Sequence, residues 1–363
     1  MDIELTNKTQ PQKKNFNFVD TIRCISMIGI VMEHCSMVPS NHYNRLFDRI
    51  TETSIIQSFK FSTIAFFLIG GFLINHKFQE YTPGQYLKNR FKKTIGPWLF
   101  WILIFIALTT LDRYIAYTKG GDVGQLVTEP FKFISMLFFR IVMFSPYWFI
   151  LNFLICISIL LVFKKYLYNI WFGAILSLFS LFYSINIYAG WIETTHTTAI
   201  LGFVFYLWLG VYFNKYYDKV IWLINAVSWS KIVIITIISF AIAVAESSYL
   251  NHIGIDDAYN TLRLSNIVYS LIMFVLLLKI GNINWLQQNL KPRETTFGIY
   301  LLHIIIIDRG LPLIFQPLKL NVLEFTIWQD IGTLLLRFLI TYGTCFLLTR
   351  LIGRTKMKWA VGN

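Results

Sequence analysis

Ten separate apolar runs, each long enough to cross a bilayer, leave this chain few ways to fold. They fall near residues 18 to 38, 54 to 75, 94 to 111, 147 to 163, 169 to 188, 197 to 214, 232 to 250, 264 to 280, 295 to 310 and 331 to 352. Hydrocarbon offers no partner to a backbone amide, so a run of this length must satisfy its own hydrogen bonds as a helix. The expected fold is therefore all-α, a polytopic membrane bundle of about ten transmembrane helices. Of the 363 residues, 56% are hydrophobic and only 14% charged, which excludes an ordinary water-soluble domain. No hydrophilic block is long enough to fold alone, so residues 1–363 are expected to form one membrane-embedded domain with tails at 1–15 and 353–363.

Lysine and arginine alternate between the loops. Assigning the amino terminus, the even-numbered hairpins and the carboxyl tail to one side gives about twenty basic residues there against about ten opposite, so both termini are expected in the cytoplasm. The formal net charge of +13 then follows from topology and suits anionic headgroups. It gives no support to nucleic-acid binding. Met1 to Asn15 is polar and carries Lys13 and Lys14, and no small-residue cleavage site follows, so no cleaved leader is expected. Cys24, Cys35, Cys156 and Cys345 lie in or beside apolar runs without a CxxC pair, which predicts free packing residues. Between the runs, Phe131 to Phe144 and the proline-broken stretch Leu311 to Gln329 read as interfacial or re-entrant segments. Val220 to Ser230 reads as a helix lying flat on the cytoplasmic side.

The first run holds ionisable residues at membrane depth. Arg23 and His34 are eleven residues apart, three helical turns, which places them within roughly 20° of one face and about 16 Å apart along the axis. Such groups cost about 2.5 to 3.5 kcal/mol each in hydrocarbon, so they mark a polar cavity, a substrate path or a catalytic centre. Asp20 lies three residues before Arg23 and can pair with it, either as an interfacial anchor or as part of a site. Glu33 precedes His34 but points about 100° away, so an orienting partner for His34 is expected from another helix. Before the third run, Lys88, Arg90, Lys92 and Lys93 are either positive-inside flanking charge or a phosphate clamp in which Arg90 and Lys93 share a helical face. Tyr300 and His303 share a face in the ninth run, as packing groups or cavity lining, and Arg337 in the tenth is either ion-paired or a substrate contact. Asp256 and Asp257 with His252 read as a solvated loop, and no metal is expected.

Taken in order, Asp20 to Arg23 as DTIR with His34 beyond it, FFLIGGFLI at Phe66 to Ile74, RFKK with Pro97 at Arg90 to Pro97, YWFI at Tyr147 to Ile150 and TFGIYLLH at Thr296 to His303 resemble the acyltransferase type 3 family of integral membrane O-acyltransferases. The resemblance implies transfer of an acyl group, usually acetyl from acetyl-CoA, across the membrane to a hydroxyl of an extracytoplasmic glycan, glycolipid or lipid-linked sugar. It implies His34 as the catalytic histidine, Arg23, Arg90 and Lys93 as ligands of the coenzyme phosphates, and a location in the inner (cytoplasmic) membrane. The long pantetheine arm matches the Arg23 to His34 rise. Three positions depart from the pattern: Lys93 replaces a frequent arginine, Gly70 a frequent serine, and Tyr147 precedes Trp148 where a histidine often stands, which bears on acceptor binding. Two other classes compete, a flippase for a polysaccharide intermediate using Arg23, His34 and Arg337 as a path, and a non-catalytic receptor indifferent to His34. Assembly as a homo-oligomer stays open.

Overall fold

The computed structural model describes residues 16–38, 42–120 and 125–363. The tail expected over 1–15, with Lys13 and Lys14, lies outside them. Helices succeed one another as α1 (Asn17–His34), α2 (Leu46–Phe59), α3 (Phe61–Glu80), α4 (Pro83–Thr118), α5 (Gln125–Thr128), α6 (Pro130–Phe144), α7 (Trp148–Val162), α8 (Ile170–Ala189), α9 (Ile200–Lys215), α10 (Tyr217–Ala226), α11 (Trp229–His252), α12 (Leu264–Ile280), α13 (Asn284–Leu290), α14 (Pro292–Ile305), α15 (Leu311–Phe315) and α16 (Ile327–Gly353). No strand occurs among the described residues. A π-helical turn, Ile306–Gly310, joins α14 to α15, and a 3₁₀ turn, Lys358–Val361, follows α16.

Six helical stretches among the described residues are long and apolar enough to cross a membrane, or up to eight if the bent pairs α6–α7 and α12–α13 each make one crossing. Two of the ten expected runs fall short of that standard: α9 has 16 residues, and α1 carries Asp20, Arg23 and Glu33 within 18. The protein is a multi-pass membrane bundle. The stretch expected at 131–144 forms α6, set at 66° to α7, and the expected flat segment forms the separate helix α10.

The third crossing is longer than its apolar run. Thr82 and Gln85 form a reciprocal capping box and Pro83 occupies the first turn, so the helix starts eleven residues before the run and continues for 36 residues. At 1.5 Å per residue it is about 54 Å long, well beyond the hydrocarbon core. The basic cluster Lys88 to Lys93 thus lies on the same helix as the apolar run, on the part that projects before it.

α1 is buried on most of its circumference, packed by α3, α14, α16, α2 and α12. A helix enclosed this way is a central element. Its charged residues therefore face protein and cavities, not lipid. Beside it, α3 and α9 approach until their backbones touch. A Cβ on Gly71 would collide with the carbonyl of Leu207, and one on Gly210 with the carbonyl of Leu68. Small residues at such a crossing let two helices pack closely where lipid supplies no hydrophobic drive. Gly71→Ala or Gly210→Ala is expected to cost about 1–3 kcal/mol or more by overpacking. A lowered unfolding midpoint in detergent would register it, and an unchanged midpoint would refute the close crossing.

Candidate active site

One stripe of α1 connects three cavities. Arg23, Met27, Ile30 and His34 follow the i, i+4, i+7, i+11 spacing of a helix face. Arg23, Met27 and Ile30 line a cavity of about 330 Å³ together with Arg90, Lys93 and Arg293. Ile30 then continues into a small chamber of about 60 Å³, where Glu33, His34, Trp148, His196 and Tyr300 form the wall. His34, Trp148 and His196 also line a wide cavity of about 900 Å³ on the side away from the cationic one, called the outer cavity for that position. Neighbouring cavities share lining residues: Ile30, Phe149 and Tyr300 at one junction, His34, Pro146, Trp148 and His196 at the other. The imidazole of His34 stands where the chamber meets the outer cavity.

The cationic end is organised around Asp20. Its carboxylate is buried and accepts from Arg293 Nε at 2.7 Å, with Arg23 Nη1 at 3.6 Å. Asp20 thus anchors two guanidiniums at the mouth of the first cavity and does not merely fasten the helix. Arg90 and Lys93, one turn apart on α4, face the same space, and the Arg90 guanidinium lies 6.0 Å from the Phe153 ring centroid. Phe153 also explains a departure noted in the sequence. A Cβ on Gly70 would fall 2.6 Å from its ring, so the glycine makes room for the aromatic cavity wall.

Around His34 the neighbours come from other helices. Its ring centroid is 5.5 Å from that of His303, on α14. A second imidazole thus lies close to it from outside α1, without a hydrogen bond between the two rings. Glu33 turns instead to Lys60, its carboxylate 2.5 Å from the ammonium. Lys60 sits at the break between α2 and α3 and is 8% exposed. Removing one member of such a pair strands a buried charge, at about 3–5 kcal/mol. Lys60→Met is expected to destabilise by that amount and Lys60→Met with Glu33→Gln to recover most of it, read from unfolding midpoints. Equal losses in both variants would show that the pair is not coupled.

Trp148 stacks on His196 with centroids 4.7 Å apart, and His196 Nε2 lies 3.2 Å from Thr261 Oγ1. His196 is in the loop between α8 and α9, and burial lowers its pKa below the ordinary imidazole value, against the pull of Asp257. Two flat rings thereby form a wall shared by the chamber and the large cavity. Tyr300 reaches the same region and donates its hydroxyl to the carbonyl of Pro146 at 2.5 Å.

Of the expected cavity residues, Asp20, Tyr147, His303 and Arg337 line none of these three cavities, and Tyr147 and Arg337 serve elsewhere. Tyr147 is fully buried and lines none of these three cavities; its hydroxyl donates to the carbonyl of Leu301 at 2.6 Å and its own carbonyl accepts from Trp98 Nε1. It ties α7 to α14 and α4. Arg337 was expected to be ion-paired or to touch substrate. Its Nε donates to the carbonyl of Cys35 at 2.7 Å and its guanidinium lies over the Phe315 ring. A cation on the last carbonyls of a helix is favourable both as a cap and against the dipole. Arg337 therefore holds the end of α1 that carries His34.

Lys60, His196 and Arg293 are site residues that sequence reasoning missed. Lys60 had a signal, a lysine inside the second apolar run, of the same kind that singled out His34. The other two sit in a polar loop and a helix start, where nothing local distinguishes them.

The chain matches the acyltransferase-domain family model over residues 16–350. It is 27% identical over 309 residues to YfiQ of Bacillus subtilis (strain 168), named provisionally as a membrane-bound acyltransferase, with 78% of each chain covered. No solved structure matches it. A match over nearly the whole described bundle, including the helices that wall all three cavities, is decisive: the chain belongs to the acyltransferase type 3 family.

Proposed function

We propose that this membrane acyltransferase takes an acyl group, most simply acetyl, from cytoplasmic acyl-CoA and passes it to a hydroxyl of an extracytoplasmic glycan, glycolipid or lipid-linked sugar. The observation that carries this is the series of adjoining cavities that share lining residues, cationic at one end and open beside an imidazole at the other. Coenzyme phosphates held by Arg23, Arg90 and Lys93 put the thioester about 16 Å further along α1, at His34. The imidazole takes the proton of the acceptor hydroxyl as its oxygen attacks the thioester carbon. The carbon–sulfur bond then breaks, and the proton passes to the leaving thiolate to give free CoA. The 60 Å³ chamber between the two larger cavities favours a small acyl group. Trp148 and His196 offer flat faces to an acceptor ring.

The topology that goes with this mechanism has ten crossings of the inner membrane. α1 and α9 supply the two that fall short by apolarity or length, and both termini lie on the cytoplasmic side with Arg23, Arg90 and Lys93. A short helix is acceptable as a crossing when protein surrounds it, as at α9, where Phe203, Val204, Leu207 and Val211 are fully buried.

Masses of surface glycans and lipids extracted from cells carrying the wild type and His34→Ala test the function. An acyl increment present in the first and absent in the second is expected, and its mass identifies the group. Identical spectra would overturn the assignment. A flippase would show no consumption of acyl-CoA in membrane vesicles.

A further inference from the structure

His303 is fully buried and one of its two ring nitrogens is already committed. Nδ1 lies 2.6 Å from the carbonyl of Tyr300, and since a carbonyl only accepts, Nδ1 carries the proton. That contact fixes the tautomer and leaves Nε2 with a bare lone pair. Nε2 has no hydrogen-bond partner among the described residues, although it is buried. Buried polar atoms are overwhelmingly satisfied, so an unsatisfied one close to the His34 ring, which itself borders the chamber, calls for a partner that reaches it in a working state.

His34 is placed to be that partner. The two ring centroids are 5.5 Å apart with the planes tilted by 35°. Two imidazoles joined edge to edge by an N–H···N bond of about 3 Å have nearly this separation, so a turn of the half-buried His34 ring completes the contact. The backbone on both sides is held. Tyr300 is pinned to Pro146, Tyr147 to Leu301, and Arg337 clamps the end of α1 at Cys35.

We propose that His303 is a positioning residue for the reaction at His34: its Nε2 accepts the N–H of the His34 ring and so turns the other His34 nitrogen, with its lone pair, toward the acceptor hydroxyl. This rests on the acyl-transfer function proposed above. During transfer the acceptor proton goes to that free nitrogen, the acceptor oxygen bonds to the thioester carbon, and the proton then leaves with the CoA sulfur. His303 exchanges no proton. Its lone pair holds a neutral imidazole before the step and an imidazolium during it, the second contact being the stronger because it is charge-assisted.

Acetyl-CoA-dependent release of CoA thiol, measured in membrane vesicles that retain their native acceptors, tests this with four proteins. Wild type and His34→Ala establish whether His34 chemistry operates at all. His303→Leu, which keeps apolar bulk but has no acceptor, is expected to lower kcat by about 100-fold with KM for acetyl-CoA changed less than about twofold. His303→Gln, whose side-chain oxygen reaches toward the Nε2 position, is expected to restore at least about tenfold of that loss. If His34→Ala is inactive while His303→Leu turns over like the wild type, positioning is refuted and the acyltransferase mechanism stands. Equal losses in the leucine and glutamine variants, or a KM rising in step with the fall in kcat, would reduce His303 to packing and also refute it. If His34→Ala turns over like the wild type, the mechanism itself fails.

Discussion

His34→Ala is expected to reduce acyl transfer by about a thousandfold while the protein stays folded. The expectation follows from where the ring stands. It is the last residue of α1, half-buried, on the border between the small chamber and the outer cavity. Truncating it widens space that is already open and gives up its ring contact with His303, while the helix clamp from Arg337 to Cys35 survives. An alcohol attacking a thioester without a base must shed its proton to solvent, and a neutral imidazole in reach supplies about two to four orders of magnitude. CoA release in vesicles measures the loss, and an unchanged unfolding midpoint shows that it is chemical. Activity above about a tenth of wild type would exclude His34 as the base.

Arg90→Glu combined with Lys93→Glu is expected to raise KM for acyl-CoA by about 100-fold or more. Hydrogen bonds to charged groups contribute about 1.5–3 kcal/mol each, and reversal replaces attraction with repulsion. The two side chains lie one turn apart on the projecting start of α4, facing the cavity that Arg23 and Arg293 also border. Lys93 is a point charge and not a planar fork, so Arg90→Gln alone is expected to weaken the donor more than Lys93→Gln. High salt is expected to raise the wild-type KM and to leave the doubly reversed variant little changed, since screening acts on the same phosphate contacts. A KM unaffected by the reversal would place the donor elsewhere.

Much of this molecule is legible in its apolar runs, because a bilayer leaves the backbone no alternative to a helix. Boundaries are less so. The capping residues Thr82 and Gln85 signal the start of α4, yet the basic stretch after them masks its continuity with the apolar run. The spacing of Arg23 and His34 puts both on one stripe because helical geometry is local, and the three cavities follow that stripe. What closes the site is tertiary. Arg337 shows as a cation at membrane depth, but its partner is the carbonyl of Cys35, and a backbone acceptor leaves no mark in a sequence. Tyr147 differs from its burial neighbours only through contacts with Leu301 and Trp98, from helices far along the chain. The pairing of Gly70 with Phe153 is equally invisible until α3 and α7 are brought together.

The narrow middle of the passage has a bearing on the cell's energy economy. A chamber of about 60 Å³ has room for only a few water molecules. Solutes on either side therefore cannot exchange in bulk, and nothing large need swing from one face to the other. The proposed transfer would then move a chemical group outward while the ion gradients across the membrane are left standing.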